Sequence, residues 1–321
     1  MSARLVTVFG GSGFLGRHLV QRLAANGDRV RVAVRDSEAA QFLKVMGGVG
    51  QITPMTADIA NDSQVAAAVR GAGAVVNLAG ILSESWRQTF KRIHTEGAAN
   101  VARAASEAGA KRLVQISAIG ADKDSRAKYA RTKAAGEEAV KAAFAHASIV
   151  RPSVMFGPED KFFNMFAGFA LISPVLPLFG VNVFSDGGTK FQPVYVGDVA
   201  GAIMKILSDP GTVGKTYELG GPEVYSYKQI MELMLKQIGR RRLLIPVPFL
   251  LARFEAWFLE KAPNPLLTRD QLRLLEKDNV VGEAAMTFKN LGVTPTPAEA
   301  VLPAYLHRFR PQTQQRVRQI I

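Results

Sequence analysis

The chain of 321 residues has no cysteine, only four histidines, and no long apolar run free of helix breakers. The missing cysteine excludes a disulfide, an iron–sulfur cluster, a thiolate zinc site and a cysteine nucleophile. His18, His94, His146 and His307 are scattered without ligand spacing, so no metal ion is expected. The longest stretch without a charge, residues 162–185, is interrupted by Asn164, Gly168, Ser173, Pro174, Pro177 and Gly180. A membrane span needs about 20 apolar residues in succession, so no transmembrane helix is expected. A core helix followed by a turn, or an exposed apolar contact surface, accounts for the stretch instead. Strand-like alternation begins by Leu5, so no signal peptide is expected.

Positive charge is abundant: 40 Lys and Arg against 27 Asp and Glu, a formal net charge of +13. Residues 236–321 hold fourteen of the basic and seven of the acidic residues, about half of the excess. Such a basic tail suits nucleic acid, anionic lipid or an acidic protein surface. No nucleic-acid motif accompanies it, and no nucleic-acid partner is expected.

Residues 1–150 alternate apolar runs at 5–9, 30–34, 51–56, 74–78, 113–117 and 148–150 with helical patterns at 14–25, 37–45, 63–69, 86–108 and 128–145. Val-, Leu- and Ile-rich strands separated by helices predict an α/β fold: a Rossmann-type, doubly wound parallel sheet covered on both faces. After Arg151, Gly, Pro and aromatic residues become common, and helices are expected at 196–207, 226–238 and 248–260, the second opened by a Ser226/Gln229 capping box. This predicts a dinucleotide-binding domain over 1–150 and a smaller, mainly helical lobe over 151–321, packed on it and ending in the basic tail.

The strongest chemical signal is Val6-Thr7-Val8-Phe9-Gly10-Gly11-Ser12-Gly13-Phe14-Leu15-Gly16, a glycine-rich turn between a strand and an amphipathic helix. Glycines there permit a tight turn and close approach of a diphosphate to the unpaired N–H groups at the helix start. Gly10, Ser12, Gly13, Phe14, Leu15 and Gly16 are therefore candidate cofactor residues. The second strand ends Val34-Arg35-Asp36. An NAD site usually places a carboxylate there; Arg35 suits the 2′-phosphate of NADPH better, with Arg17 as a second cation. Asp36 argues for NADH but stands one residue late. Asp58 and Ile59, after the third strand, are candidates for the adenine, with a helix cap as the other reading of Asp58.

Tyr129 and Lys133 lie four residues apart on one helix face, and Ser117 closes the fifth strand. A nearby ammonium is expected to lower the phenol's pKa, while the serine orients a carbonyl or hydroxyl and the lysine binds the nicotinamide ribose. With these residues in place the sequence resembles the extended and atypical short-chain dehydrogenase/reductase superfamily over 3–240. Asn77-Leu78-Ala79-Gly80 resembles the cofactor-lining loop of that family, which makes Leu78, Ala79 and Gly80 candidate contacts. Arg151-Pro152-Ser153-Val154-Met155-Phe156-Gly157-Pro158 resembles its segment near the nicotinamide, adding Pro152, Ser153 and Val154.

Within the superfamily, residues 151–164, Phe191-Gln192-Pro193-Val194-Tyr195-Val196-Gly197-Asp198-Val199-Ala200 and the short Ser117–Tyr129 spacing most resemble the nucleotide-binding accessory subunits of respiratory complex I (NADH:ubiquinone oxidoreductase). That resemblance implies NADPH held as a structural ligand without redox turnover, partner subunits of complex I, and a peripheral place on the cytoplasmic face of the inner membrane, or on the matrix face in a mitochondrion. The polar loop 118–128 is shorter than a typical substrate loop, yet Ser117, Tyr129 and Lys133 are all retained. A free-standing NADP(H)-dependent reductase or epimerase using them, and a cofactor-sensing regulator, are the other readings. In the second lobe, residues 249–259 read FLLARFEAWFL, close behind Arg240, Arg241 and Arg242. They suit either a helix that closes the lobe or a membrane-lipid or protein interface. His307, Arg308, Arg310, Arg316 and Arg318 add charge at the end.

Overall fold

The computed structural model describes residues 4–179, 187–260 and 267–311; the end of the uncharged stretch (180–185) and the terminal Arg316 and Arg318 lie outside the described residues. In chain order the strands are β1 (Leu5–Phe9), β2 (Arg29–Val34), β3 (Ile52–Thr56), β4 (Ala74–Asn77), β5 (Arg112–Ile116), β6 (Ser148–Pro152) and β7 (Met155–Phe156). They continue with β8 (Val175–Phe179), β9 (Lys190–Phe191), β10 (Val194–Tyr195), β11 (Thr216–Leu219), β12 (Tyr225–Ser226) and β13 (Leu243–Val247). The α-helices are α1 (Phe14–Ala25), α2 (Asp62–Val69), α3 (Gly97–Glu107), α4 (Lys128–Ala143) and α5 (Phe162–Ile172). Then come α6 (Val196–Ser208), α7 (Tyr227–Ile238), α8 (Phe249–Leu259), α9 (Arg269–Leu274) and α10 (Ala298–Leu306).

Two compact units form. The first joins Met1–Pro152 to Val196–Leu219 and Gly282–Thr294; the second comprises Ser153–Tyr195, Gly220–Val281 and Pro295–Ile321. The sequence places one boundary between residues 150 and 151, whereas the chain returns to the first unit twice. The first return lays α6 beside α1 and adds β11 along β6, covering a sheet edge that would otherwise stay unpaired.

The first unit is a seven-stranded parallel sheet in the order β11-β6-β5-β4-β1-β2-β3. Its central strands β1 and β4 are largely apolar because both faces are covered: Val6, Val8, Phe9, Val75 and Val76 are fully buried. Parallel strands need long crossovers, which α1, α2, α3 and α4 supply. The order reverses between β1 and β4, and such a switch point opens a crevice beyond the carboxyl ends of the strands.

Two local expectations fail for polar reasons. The helix expected at 37–45 is a 3₁₀ turn at Gln41–Met46, because Asp36 accepts from the Ala39 N–H (2.9 Å) and holds a turn where a helix would begin. The single helix expected over 86–108 starts later. Glu84 accepts from the Phe90 N–H (2.7 Å), and a π turn at Lys91–Glu96 precedes α3. The π turn lies against α4 so closely that a Cβ on Gly136 would stand 2.0 Å from the His94 carbonyl oxygen.

The second unit is mainly helical, with short strand pairs β7–β10, β9–β12 and β8–β13. The uncharged stretch becomes α5 followed by β8. Phe156, Phe163, Phe166, Tyr227, Met231 and Leu302 form its core. Asp160 accepts from the Phe163 N–H (2.7 Å) and the Tyr305 hydroxyl (2.5 Å), tying the start of α5 to α10. The Ser226/Gln229 capping box opens α7, and Gly239 in the left-handed conformation ends it.

Replacing Gly136 by Ala should therefore destabilise the protein by about 1–3 kcal/mol, the usual cost of overpacking, despite alanine's better helix propensity. A lower denaturant midpoint with unchanged slope is the expected reading; an unchanged midpoint would contradict the close approach.

Candidate functional site

At the switch point, the loop after β1 meets the loop after β4. Gly10 has φ of +72°, and a Cβ on it would lie 3.2 Å from the Ala79 nitrogen. A Cβ on Gly16 would come within 2.5 Å of the Gly10 and Gly11 carbonyl oxygens. Only glycine lets α1 start this close to the strand end. Gly13 caps α1 with no side-chain hydrogen bond, so the first-turn N–H groups border an open cradle beside Ser12 and Phe14, while the Leu15 side chain packs inward. The residues present fit a dinucleotide diphosphate.

Around the cradle, Arg35 is exposed directly after the buried end of β2, and Asp36 is occupied with its own turn through Ala39. The Arg17 guanidinium stacks on Phe42 (5.3 Å) and donates to the Ser12 carbonyl (3.2 Å). Asp58 accepts from the Ala60 N–H (2.9 Å) and lies 3.6 Å from Arg92; Ile59 is buried against the sheet. Asn77 shapes the loop that carries Leu78, Ala79 and Gly80. Its side-chain oxygen accepts from the Ala79 N–H (3.1 Å), and its amide donates to Gln115 (2.9 Å).

Ser117, Tyr129 and Lys133 all belong to the first unit. The Ser117 hydroxyl is buried and finds no hydrogen-bond partner among the described residues. A buried orphan hydroxyl costs about 1–3 kcal/mol, so this atom fits a site completed by a ligand. Lys133 Nζ donates to the Ile116 carbonyl (3.4 Å) and lies 5.8 Å from the centre of the Tyr129 ring. Burial pushes the lysine down to about 8. The expected lowering of the phenol does not occur: burial pushes Tyr129 up to about 12. Spacing brings the pair together, but desolvation penalises both charged forms.

Pro152 closes β6, and its carbonyl accepts from the Ile119 N–H (3.1 Å). In the second unit, Asn279 occupies the polar groups of the other two candidates from this segment. Its side-chain oxygen accepts from the Ser153 hydroxyl (2.7 Å) and the Val154 N–H (3.2 Å). Nothing in the local sequence marks Asn279, which follows Ser153 by 126 residues.

Sequence reading also passes over His94. Its Nε2 accepts from the Ile81 N–H (3.1 Å), so Nδ1 carries the proton and donates to Thr132 Oγ1 (3.2 Å); Thr132 in turn donates to the Tyr129 carbonyl (3.0 Å). The imidazole stacks on Phe90 (5.3 Å) and meets Tyr129 edge-on (5.2 Å). One buried ring thereby joins the loop after β4 to the helix that carries Tyr129 and Lys133. Among the described residues, no group of three acidic or histidine side chains could hold a metal.

A family model described as "NAD dependent epimerase/dehydratase family" matches residues 6–220. The chain is 38% identical, over 97% of its length and 79% of the relative's, to an Arabidopsis thaliana protein named NADH dehydrogenase (ubiquinone) 1 alpha subcomplex subunit 9, mitochondrial. It is 31% identical to a protein of Caulobacter vibrioides named ceramide reductase, over 76% of this chain and 74% of that one. Among solved structures, UDP-glucose 4-epimerase of Thermus thermophilus in complex with NAD superposes with a TM-score of 0.70 at 21% identity, covering 96% of this chain and 99% of that one. Identity that low shows the shared fold alone.

His94 supplies a test. Burial and the neighbouring Lys133 charge push its pKa down to about 3, against 6.5 for a free histidine. Between those values the unfolded chain binds a proton that the folded protein does not, so stability falls as pH drops from about 6.5 toward 3. The single group contributes a slope approaching 1.4 kcal/mol per pH unit, about 2 kcal/mol by pH 5. Denaturation of wild type and His94→Gln at pH 7 and pH 5 should show this difference lost in the variant; parallel losses would contradict the buried neutral ring.

Proposed function

The chain belongs to the NAD dependent epimerase/dehydratase family, and from that premise we propose that it is an NADPH-binding accessory subunit of respiratory complex I, holding the dinucleotide without redox turnover. The observation that carries the reading is its 38% identity, across nearly its whole length, to a subunit of the NADH dehydrogenase (ubiquinone) of Arabidopsis thaliana. Its place would be peripheral, on the cytoplasmic or matrix face, among the other subunits. Among the described residues no helix is long and apolar enough to cross a membrane.

The dinucleotide would be held by chain groups in named roles. The first-turn N–H groups of α1, presented by the Gly10–Gly16 turn, would take the diphosphate, Arg35 with Arg17 the 2′-phosphate, and Asp58 and Ile59 the adenine. Leu78, Ala79 and Gly80 would line the nicotinamide side, with Pro152 nearby. Ser117, Tyr129 and Lys133 would contact the ribose. With its pKa raised to about 12, the Tyr129 phenol is a weaker acid and almost none of it is phenolate at neutral pH, which supports a binding role over an acid/base role. When bound, the cofactor supplies a hydride donor, which this reading leaves unused.

A reductase is the second reading, favoured by the retained Ser117, Tyr129 and Lys133 and by the likeness to the ceramide reductase. It expects substrate-dependent NADPH oxidation by the isolated chain, abolished by Tyr129→Phe.

Two measurements test the first reading. Blue-native electrophoresis of membranes from the source organism should find the chain migrating with the NADH:quinone oxidoreductase; a chain found only as free protein would overturn it. Arg35→Asp should weaken NADPH relative to NADH about ten- to a hundredfold, since a charge-assisted phosphate contact is worth roughly 1.5–3 kcal/mol. An unchanged affinity ratio in titrations of the two nucleotides would remove Arg35 from the 2′-phosphate.

A further inference from the structure

The second unit carries a face that the dinucleotide site does not use. On α8 the buried side is small, with Ala252 and Ala256 packed against Leu272, Phe179 and Val247. The other side is large and open. Leu250, Leu251, Phe254, Trp257 and Phe258 are each between 43% and 78% exposed. At 3.6 residues per turn these five fall within an arc of about 120°, and Glu255 falls just outside it. Trp257 and Phe254 both pack edge-on against Phe258, so the three rings form one aromatic surface.

The face extends beyond the helix. Leu243 and Ile245 alternate outward on β13, which leads directly into α8. The Leu243 N–H donates to the Pro174 carbonyl (3.0 Å), two residues from the exposed Ile172 at the end of α5, where Leu171 is also open. Exposed large apolar side chains gathered on a helix and on the strand that leads into it mark a site of contact.

Its border is positive. Arg240, Arg241 and Arg242 lead into β13. Arg240 donates to the Phe309 carbonyl (3.0 Å) and Arg242 to the Ala170 carbonyl (2.9 Å), which fixes two of the guanidinium groups in place. Near α8, Glu276 pairs with Arg253 and Glu260 with Arg269, which leaves Glu255 as the exposed carboxylate on the helix, outside the apolar arc. Aromatic and aliphatic side chains bordered by three consecutive arginines match the chemistry of an anionic bilayer interface, where apolar groups enter the acyl boundary and cations meet phosphate.

We propose that α8, the outer side of β13 and the end of α5 seat this protein on an anionic lipid surface. Phe254, Trp257 and Phe258 enter the interfacial layer, and Arg240, Arg241 and Arg242 meet the headgroup phosphates. The inference stands apart from the accessory-subunit reading, because vesicles contain no other subunit.

The test uses the full chain with sedimentable vesicles of phosphatidylcholine alone or mixed with phosphatidylglycerol. In a Trp86→Phe background the only remaining tryptophan is Trp257. The protein should sediment with the phosphatidylglycerol vesicles, and the Trp257 emission should shift to the blue. The double variant Phe254→Ser, Phe258→Ser should lower the bound-to-free ratio at least tenfold without lowering NADPH affinity. The triple Arg→Gln variant at 240, 241 and 242 should abolish the preference for phosphatidylglycerol. Absence of sedimentation, or sedimentation without a shift in emission, would overturn the proposal. So would concentration-dependent self-association of the free protein that the Phe254/Phe258 variant removes, since the face would then be an interface between copies.

Discussion

Lys133 is buried where its nearest counter-ion is already taken. Glu137, one turn further along α4, is held by a two-pronged pair with Arg151 (2.8 and 2.7 Å), whose third contact reaches Glu218 (3.2 Å). Among the described residues, the lysine is left with one long hydrogen bond to the Ile116 carbonyl, beside a serine hydroxyl that has no partner there. Its pKa near 8 corresponds to a penalty on the order of 3 kcal/mol for the ammonium at neutral pH. A group held under such a penalty stabilises whatever supplies the missing acceptors. Ribose hydroxyls would do so for Lys133 and Ser117 together.

The backbone that creates this arrangement depends on glycine at close approach. Gly16 lets α1 begin against the end of β1, and Gly136 lets α4 press on the π turn that carries His94. His94 then joins the loop after β4 to α4 through neutral hydrogen bonds, adding no second buried charge next to Lys133. The glycine cradle at the start of α1 and the Ser117–Lys133 cluster thus belong to one framework in the first unit. The exposed aromatic surface of the second unit rests on a different logic, since α8 buries Ala252 and Ala256 and leaves Phe254, Trp257 and Phe258 exposed.

Much of this was legible in the sequence because it is local. The glycine turn between β1 and α1, the Tyr129–Lys133 spacing, the Ser226 capping box and the apolar strands each depend on residues within a few positions of one another. What escaped depends on distant partners. Residues 37–45 look helical until Asp36 captures a backbone N–H, and His94 looks isolated until Ile81 and Thr132 surround it. Asn279 gives no local sign of meeting Ser153. The return of the chain to the first unit to build α6 and β11 is equally invisible to a reading that proceeds along the sequence. Spacing also placed Tyr129 and Lys133 side by side but gave the wrong direction for the phenol, because proximity is encoded in the helix repeat and burial is not.

The nucleotide carried by the protein itself gives the most direct test of the central claim. The full chain, purified at native expression without added cofactor, would be denatured and the released nucleotides separated and quantified. NADPH at close to one per chain is expected, unchanged after incubation with quinone or carbonyl compounds. Release of NADH or NAD without NADPH, or rapid oxidation of the bound NADPH by an added carbonyl substrate, would contradict a structural NADPH site.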